Sequence, residues 1–191
     1  MNTDEYRFSG VKGDSCCAIN VGRPEEAKNR RRLIPISEEL TRRGSPPIRV
    51  IGRPGYDLSS ADEPTIEFVG PVAPIRPEYE KAGCLVVVST REGLPGVVLE
   101  ALACGVPVVS SRLSGVEMLA RSLEGITIVG LDESDACWAD AITQAFKSRR
   151  SADAMLIASS VRSSEFSLSN VTAHWLSELK LSHLAGRIAR S

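Results

Sequence analysis

Short apolar runs of four or five residues, separated by longer amphipathic or alanine-rich stretches, recur along the chain. That alternation is the pattern of βαβ units around a parallel sheet, each run a strand and each longer stretch a crossover helix. The runs are Cys17–Val21, Ile48–Gly52, Ile66–Val69, Leu85–Ser89, Val106–Ser110 and Ile126–Val129. Leu85-Val86-Val87-Val88 is apolar at every position, as a strand must be when helices cover both faces of its sheet. The expected fold is a single Rossmann-like α/β domain, a doubly wound parallel sheet of about six strands.

Helices are expected at about Glu25–Arg43, Pro77–Ala82, Pro95–Cys104, Gly115–Ser122 and Glu133–Lys147, with two more near Ala152–Ser163 and Leu168–Leu184. Pro35 falls inside the first of these, so that helix must kink or split. Arg53–Pro64, rich in Gly, Pro, Asp and Ser, reads as a surface loop. Arg30–Arg32 reads as a solvated helix face. Residues 15–184 form the folded unit, residues 1–14 are expected to be disordered, and residues 185–191 form a tail. A chain of 191 residues suits one core.

With 42% hydrophobic and 25% charged residues the chain is globular in composition, and a net charge of −1 argues neither for nucleic acid nor for an anionic membrane. No run approaches the roughly 18 to 20 apolar residues of a membrane span, and the polar opening does not have the form of a secretory signal. The expectation is a cytoplasmic protein. Its five cysteines, Cys16, Cys17, Cys84, Cys104 and Cys137, lack metal-ligand spacing and mostly sit in apolar runs, where cysteine acts as a small hydrophobe. His174 and His183 lie nine residues apart in the late helical region and are expected to be surface or packing residues. No metal site is expected. Neither a G-x-G-x-x-G nor a G-x-x-x-x-G-K-[ST] fingerprint is present.

The segment most informative about chemistry runs from Ser89 to Pro107 and reads as strand, turn, helix, stop, strand. Pro95 suits the first helical position and Gly105 the left-handed cap that ends the helix. From Val97 to Cys104 every residue is apolar except Glu100. A carboxylate on so apolar a helix needs donors, from the protein or from a ligand, because desolvation without partners costs several kcal/mol. Glu92 lies eight residues earlier, in the turn leaving the carboxyl end of a strand, where open α/β sheets bind ligands. Gly93 and Gly96 would let a phosphate approach the helix N-terminus. A second cluster follows the first strand: Gly22 permits the turn, and Arg23 with Lys28 suits a pyrophosphate.

Together these segments closely resemble the retaining, nucleotide-sugar-dependent group 1 glycosyltransferases of the GT-B fold. Glu92 and Glu100 reproduce the E-x7-E spacing within E-G-L-P-x-V-x-L-E-A-L-A-C-G-x-P-V-V, and Gly22, Arg23 and Lys28 resemble G-R-x4-K. Phe68-Val69-Gly70 with Val72 resembles the loop beside the nucleobase, Leu113 to Glu117 resembles G-G-x-x-E, and Phe166-Ser167 with Trp175 resembles the closing F-S-W region. Ser114 and Asn29 depart from the family pattern, each standing where glycine is common.

The resemblance implies the C-terminal, donor-binding half of a GT-B fold. It implies that Arg23 and Lys28 neutralise the donor diphosphate, Glu100 accepts from the ribose hydroxyls, and Glu92 acts catalytically on the transferred sugar. Gly22, Val72, Gly93, Leu94 and Pro95 would complete donor binding. The ligand would be a nucleotide sugar, used as substrate with no separate cofactor. The acceptor half would be a separate subunit or a missing N-terminal domain of a longer transferase, and an exposed apolar docking face would predict self-association. The alternatives are a non-catalytic nucleotide-sugar-binding or regulatory module, and a truncated remnant.

Overall fold

The computed structural model describes residues 5–6, 8–10, 17–55, 57–58 and 65–178. Its six strands are β1 (Ala18–Val21), β2 (Ile48–Ile51), β3 (Ile66–Phe68), β4 (Cys84–Val87), β5 (Val108–Ser110) and β6 (Ile126–Ile128). They form one sheet in the order β3-β2-β1-β4-β5-β6, and every pairing is parallel. This order reverses direction between β1 and β4, the place where doubly wound sheets open a crevice at their carboxyl edge.

The helices are α1 (Leu33–Arg42), α2 (Arg76–Lys81), α3 (Gly96–Ala103), α4 (Ser114–Ala120), α5 (Asp135–Arg150), α6 (Asp153–Ser163) and α7 (Leu168–Glu178). They divide between the two faces of the sheet. Leu85 and Val87 pack with Val98 and Leu102 of α3, Leu119 of α4 and Ile157 of α6. Cys84, Val86 and Val88 point the other way, onto Leu33 and Ile36 of α1 and Trp138 and Ile142 of α5. The all-apolar β4 run follows from this double cover, each fully buried aliphatic side chain contributing about 1.5–3 kcal/mol.

The segment expected as one helix, Glu25–Arg43, is three pieces. Two 3-10 turns, Glu26–Lys28 and Arg30–Arg32, precede α1, and the chain breaks at Asn29, whose φ is +48°. Pro35 does not cause the break. It sits at the third position of α1, in the first turn, where backbone amides lack an intrahelical partner and a missing N–H costs little.

The break turns the next side chain inward, and this overturns the solvated-face reading of Arg30–Arg32. Arg30 is completely buried, with Nη2 2.6 Å and Nε 2.8 Å from the two Asp57 oxygens and Nη1 donating to the Arg53 carbonyl. Arg32 pairs with Asp135 and donates to the Glu133 carbonyl, which leaves Arg31 as the exposed member of the three. The Arg53–Pro64 loop is correspondingly less superficial than its composition suggests. Asp57 and Leu58 are buried within it, and residues 56 and 59–64 lie outside the described residues.

Of residues 1–14, residues 5–6 and 8–10 are described and lie against the domain, Phe8 under the Arg149 guanidinium at 5.7 Å and Ser9 donating to Glu80. His174 stands on the exposed side of α7. His183, Cys16, the Trp175 side chain and residues 179–191, which include the proposed tail, lie outside the described residues. Cys17, Cys84, Cys104 and Cys137 are free thiols. No helix among the described residues is long and apolar enough to cross a membrane.

Candidate functional site

The β1–β4 ladder is short. Ala18 pairs with Cys84 and Ile19 with Leu85, after which side chains take over: Asn20 Nδ2 donates to the Val86 carbonyl at 2.9 Å and Asn29 Nδ2 to the Val88 carbonyl at 3.1 Å. Thr90 N then donates to Ala27 O at 2.8 Å. The loops following β1 and β4 are thereby held side by side at the topological switch point.

Across this seam Lys28 Nζ meets Glu92 Oε1 at 2.5 Å, with Ser89 Oγ donating to the same oxygen at 2.8 Å. Both charged side chains are mostly covered, 21% and 15% exposed. The Lys28 stem also lies against Gly22, where an added Cβ would touch Cδ at 3.6 Å. The cation after β1 and the carboxylate after β4 thus form one ion pair.

Beside the pair, the carboxyl ends of β1 and β2 open into a cavity of about 650 Å³. Gly22, Arg23 and Arg53 lie along it, Ile51 and Gly52 contribute strand-end backbone, Val72 and Ile75 supply an apolar wall, and Glu100 contributes a carboxylate. Gly52 is obligatory there. Its φ is +151°, and a Cβ would lie 2.1 Å from the Gly22 carbonyl, so the ends of β1 and β2 could not approach with any other residue.

Glu100 projects from α3, where Val98, Leu99, Ala101, Leu102 and Ala103 are all buried. Its Oε2 accepts from the Tyr79 hydroxyl at 2.9 Å, and the Tyr6 ring meets that of Tyr79 edge to face. Burial first, then the Glu100 charge, drives the Tyr79 phenol far above its ordinary range and Tyr6 up to about 12. Both phenols therefore remain neutral, and Tyr79 remains a donor.

The sequence-nominated residues fall into two adjacent groups. Gly22, Arg23, Val72 and Glu100 line the cavity, while Lys28 and Glu92 are joined at the seam next to it. Arg23 is largely solvated, its side chain 85% exposed and paired with Glu25 at 3.0 Å. Gly93 and Leu94 are exposed in the turn before α3, and Pro95 is buried as its N-cap, not its first helical residue; Gly96 takes that position. Gly115, at the start of α4, packs so closely on this turn that a Cβ would meet the Gly93 carbonyl at 1.9 Å.

Sequence reasoning did not nominate Arg53, Ile75, Tyr79 or Tyr6. Arg53 adjoins the nominated strand end, but its position at the cavity depends on the buried Arg30 bond to its carbonyl. Nothing local marks Tyr6, whose ring meets that of Tyr79. Among the described residues no group of three or more His, Cys, Asp or Glu side chains is placed to hold a metal ion.

The family model described as "Glycosyl transferases group 1" matches residues 17–148. No curated protein matches the chain. Among solved structures, the crystal structure of TarM is similar with a TM-score of 0.71 at 15% identity, over 90% of this chain and 36% of that one. Anabaena Alr3699/HepE, solved in complex with UDP, gives a TM-score of 0.70 at 16% identity, over 94% of this chain and 55% of that one. Sucrose-phosphate synthase from Thermosynechococcus elongatus gives 0.65 at 20% identity, over 100% of this chain and 50% of that one. These likenesses show the fold, and the chain spans between 36% and 55% of each structure's length.

Proposed function

The chain belongs to the group 1 glycosyl transferases, and from that membership we propose that it binds the nucleoside diphosphate of an activated sugar at the carboxyl edge of β1 and β2. The observation that carries the reading is Glu100, a carboxylate on an otherwise apolar helix that accepts from the Tyr79 phenol and faces a cavity bordered by Arg23 and Arg53. The solved Anabaena relative holds UDP, and a uridine nucleotide is accordingly the first ligand to offer this chain.

In this reading the base lies on the apolar wall of Val72 and Ile75, and Glu100 accepts from the ribose hydroxyls. Arg23 and Lys28 meet the diphosphate, whose negative charge grows as the bond to the sugar breaks. Positive charge at this edge stabilises that growing charge. Glu92, in the turn before α3, takes hydroxyls of the transferred sugar and stabilises positive charge at its anomeric carbon, consistent with retaining transfer. Gly93, Leu94 and Pro95 shape the turn between the two carboxylates. The acceptor is held by a further domain or subunit facing this edge, since transfer requires both reactants in a fixed geometry. The reaction is placed in the cytoplasm.

Calorimetric titration of UDP, GDP and ADP into the purified chain tests the reading. One nucleotide is expected to bind, and Glu100→Ala and Arg23→Ala are each expected to weaken it at least about tenfold, roughly 1.4 kcal/mol. Binding that is indifferent to both substitutions would place the nucleotide elsewhere.

A further inference from the structure

We propose that Arg53, in the loop after β2, binds the diphosphate of the donor and supplies the uncompensated positive charge that the cavity offers it. The inference rests on the reading of this cavity as a nucleoside diphosphate site.

Arg23 and Lys28 already have carboxylate partners, Glu25 at 3.0 Å and Glu92 at 2.5 Å. Glu100 lines the cavity, accepts from the neutral Tyr79 hydroxyl, and has no cationic partner among the described residues. Without a further cation the cavity would therefore be net negative, and it would repel an anionic ligand. Arg53 lines the same cavity, its side chain is exposed, and among the described residues it has no carboxylate partner. It restores the balance. A donor phosphate can take Arg53 without displacing a protein carboxylate, and the planar guanidinium can hold two phosphate oxygens at once.

The backbone beneath Arg53 is fixed from three directions. Gly52, just before it, donates to the Gly70 carbonyl at 3.1 Å and closes on the Gly22 carbonyl. The Arg53 carbonyl accepts from Arg30 Nη1 at 2.9 Å, and Arg30 is fully buried with two of its nitrogens on the Asp57 carboxylate. Two residues further on, Gly55 packs so closely on the loop after β1 that an added Cβ would lie 2.2 Å from Pro24 Cβ. Gly55 and Leu58 also exchange backbone hydrogen bonds, at 3.2 and 3.3 Å. The loops carrying Arg23 and Arg53 are thus in contact through Pro24 and Gly55, and both arginines border one cavity. Like charges gathered on one cavity repel, and a bound anion removes that cost. In sequence Arg53 stands in a stretch rich in Gly and Pro, and its role depends on a loop that only the buried Arg30 holds in place.

Calorimetric titration of UDP, GDP and ADP into the full chain, in wild type and Arg53→Met, tests the assignment. Methionine keeps an aliphatic stem and removes the charge. The substitution is expected to weaken whichever nucleotide binds about 10- to 100-fold, as loss of a charge-assisted bond to phosphate should, and Arg53→Lys should lie between. The urea midpoint should not move, because the side chain is exposed and unpaired among the described residues. Nucleotide affinity that ignores Arg53→Met overturns the proposal, and so does a loss accompanied by a lower urea midpoint, which would mean that Arg53 only shapes the loop.

A second readout locates the ligand. Phenylglyoxal labels exposed arginines, and peptide mass spectrometry separates them. Arg53 should label readily in the free chain and be protected by the bound nucleotide and by inorganic pyrophosphate alike, while the exposed Arg31 labels equally with and without them. Labelling of Arg53 that a saturating nucleotide leaves unchanged overturns the proposal and spares the reading of the cavity. Pyrophosphate that protects Arg53 in a chain binding none of UDP, GDP and ADP keeps the assignment and overturns the nucleoside reading. Absence of binding and of protection by all four overturns both.

Discussion

Lys28 Nζ and Glu92 Oε1, 64 residues apart in sequence, lie 2.5 Å apart where the loops after β1 and β4 meet. The cation proposed for the diphosphate and the carboxylate proposed for the sugar neutralise each other before any ligand arrives. A donor must either exchange partners with the pair or bind against it.

Substitutions that break this pair should therefore act on binding in opposite directions. Glu92→Gln releases Lys28 and is expected to tighten UDP on the order of fivefold, about 1 kcal/mol. Lys28→Met should weaken UDP. It should also destabilise the fold by about 1–3 kcal/mol, because Glu92 is left mostly covered without its cation. Titration calorimetry and urea denaturation read the two effects separately, and a weaker UDP complex in Glu92→Gln would contradict the competition.

Asp57 and Glu78 set the acid limit of stability. Burial opposes ionisation of both, but hydrogen bonds and charge outweigh it, from Arg30 for Asp57 and from Lys81 and Arg49 for Glu78, so both carboxyls are held below their ordinary values of 3.8 and 4.5. A depressed folded-state pKa contributes stability above the unfolded value and loses it as pH falls through the folded one. Unfolding free energy should be flat near neutrality and decline below the ordinary carboxylate range. Asp57→Asn should lessen that decline while lowering stability at pH 7 by about 3–5 kcal/mol, because Arg30 then lies buried without a counter-charge. Urea midpoints across pH 2 to 7 would measure both; an unchanged acid slope would exclude Asp57.

Gly115→Ala should be disproportionately harmful for a helical substitution. Helix propensity alone favours Ala by about 1 kcal/mol, but the new Cβ would fall 1.9 Å from the Gly93 carbonyl. The helix or the Gly93–Leu94 turn must move. A net loss of about 1–3 kcal/mol is expected, with nucleotide affinity falling because the turn before α3 shifts. A melting temperature at or above wild type would refute the close approach.

Burial pushes the Cys17 thiol up to about 11, that of Cys104 up to about 12, and that of Cys84 higher still. Only the thiolate is nucleophilic. At pH 8 these three should react with iodoacetamide far more slowly in the native chain than in urea, as peptide mass spectrometry would show. Rapid native labelling of Cys84 would be incompatible with its place in β4.

The central strand β4 is readable because burial on both faces leaves it no polar position, the others because short β-branched runs stand between helical stretches, and all six appear within one or two residues of their expected bounds. The first helix was harder to read. Its true boundary is a left-handed Asn29, a conformation one sequence does not announce, while the conspicuous Pro35 is harmless in the first turn. The same local turn hid the burial of Arg30, since the run of arginines looks solvated until Asn29 turns the first of them toward Asp57.

The sequence by itself determined the α/β sheet, its two-faced core, and the candidate residues Glu92, Glu100, Gly22, Arg23 and Lys28, because periodicity and turn chemistry act over a few residues. Tertiary structure alone decided how those residues meet. It paired Lys28 with Glu92, placed Arg23 and Glu100 on one cavity, and brought Tyr79 to the Glu100 carboxylate. Those encounters depend on which strands become neighbours and how closely backbones such as those of Gly52 and Gly22 approach, and such distances between remote segments are set only when the whole sheet has packed.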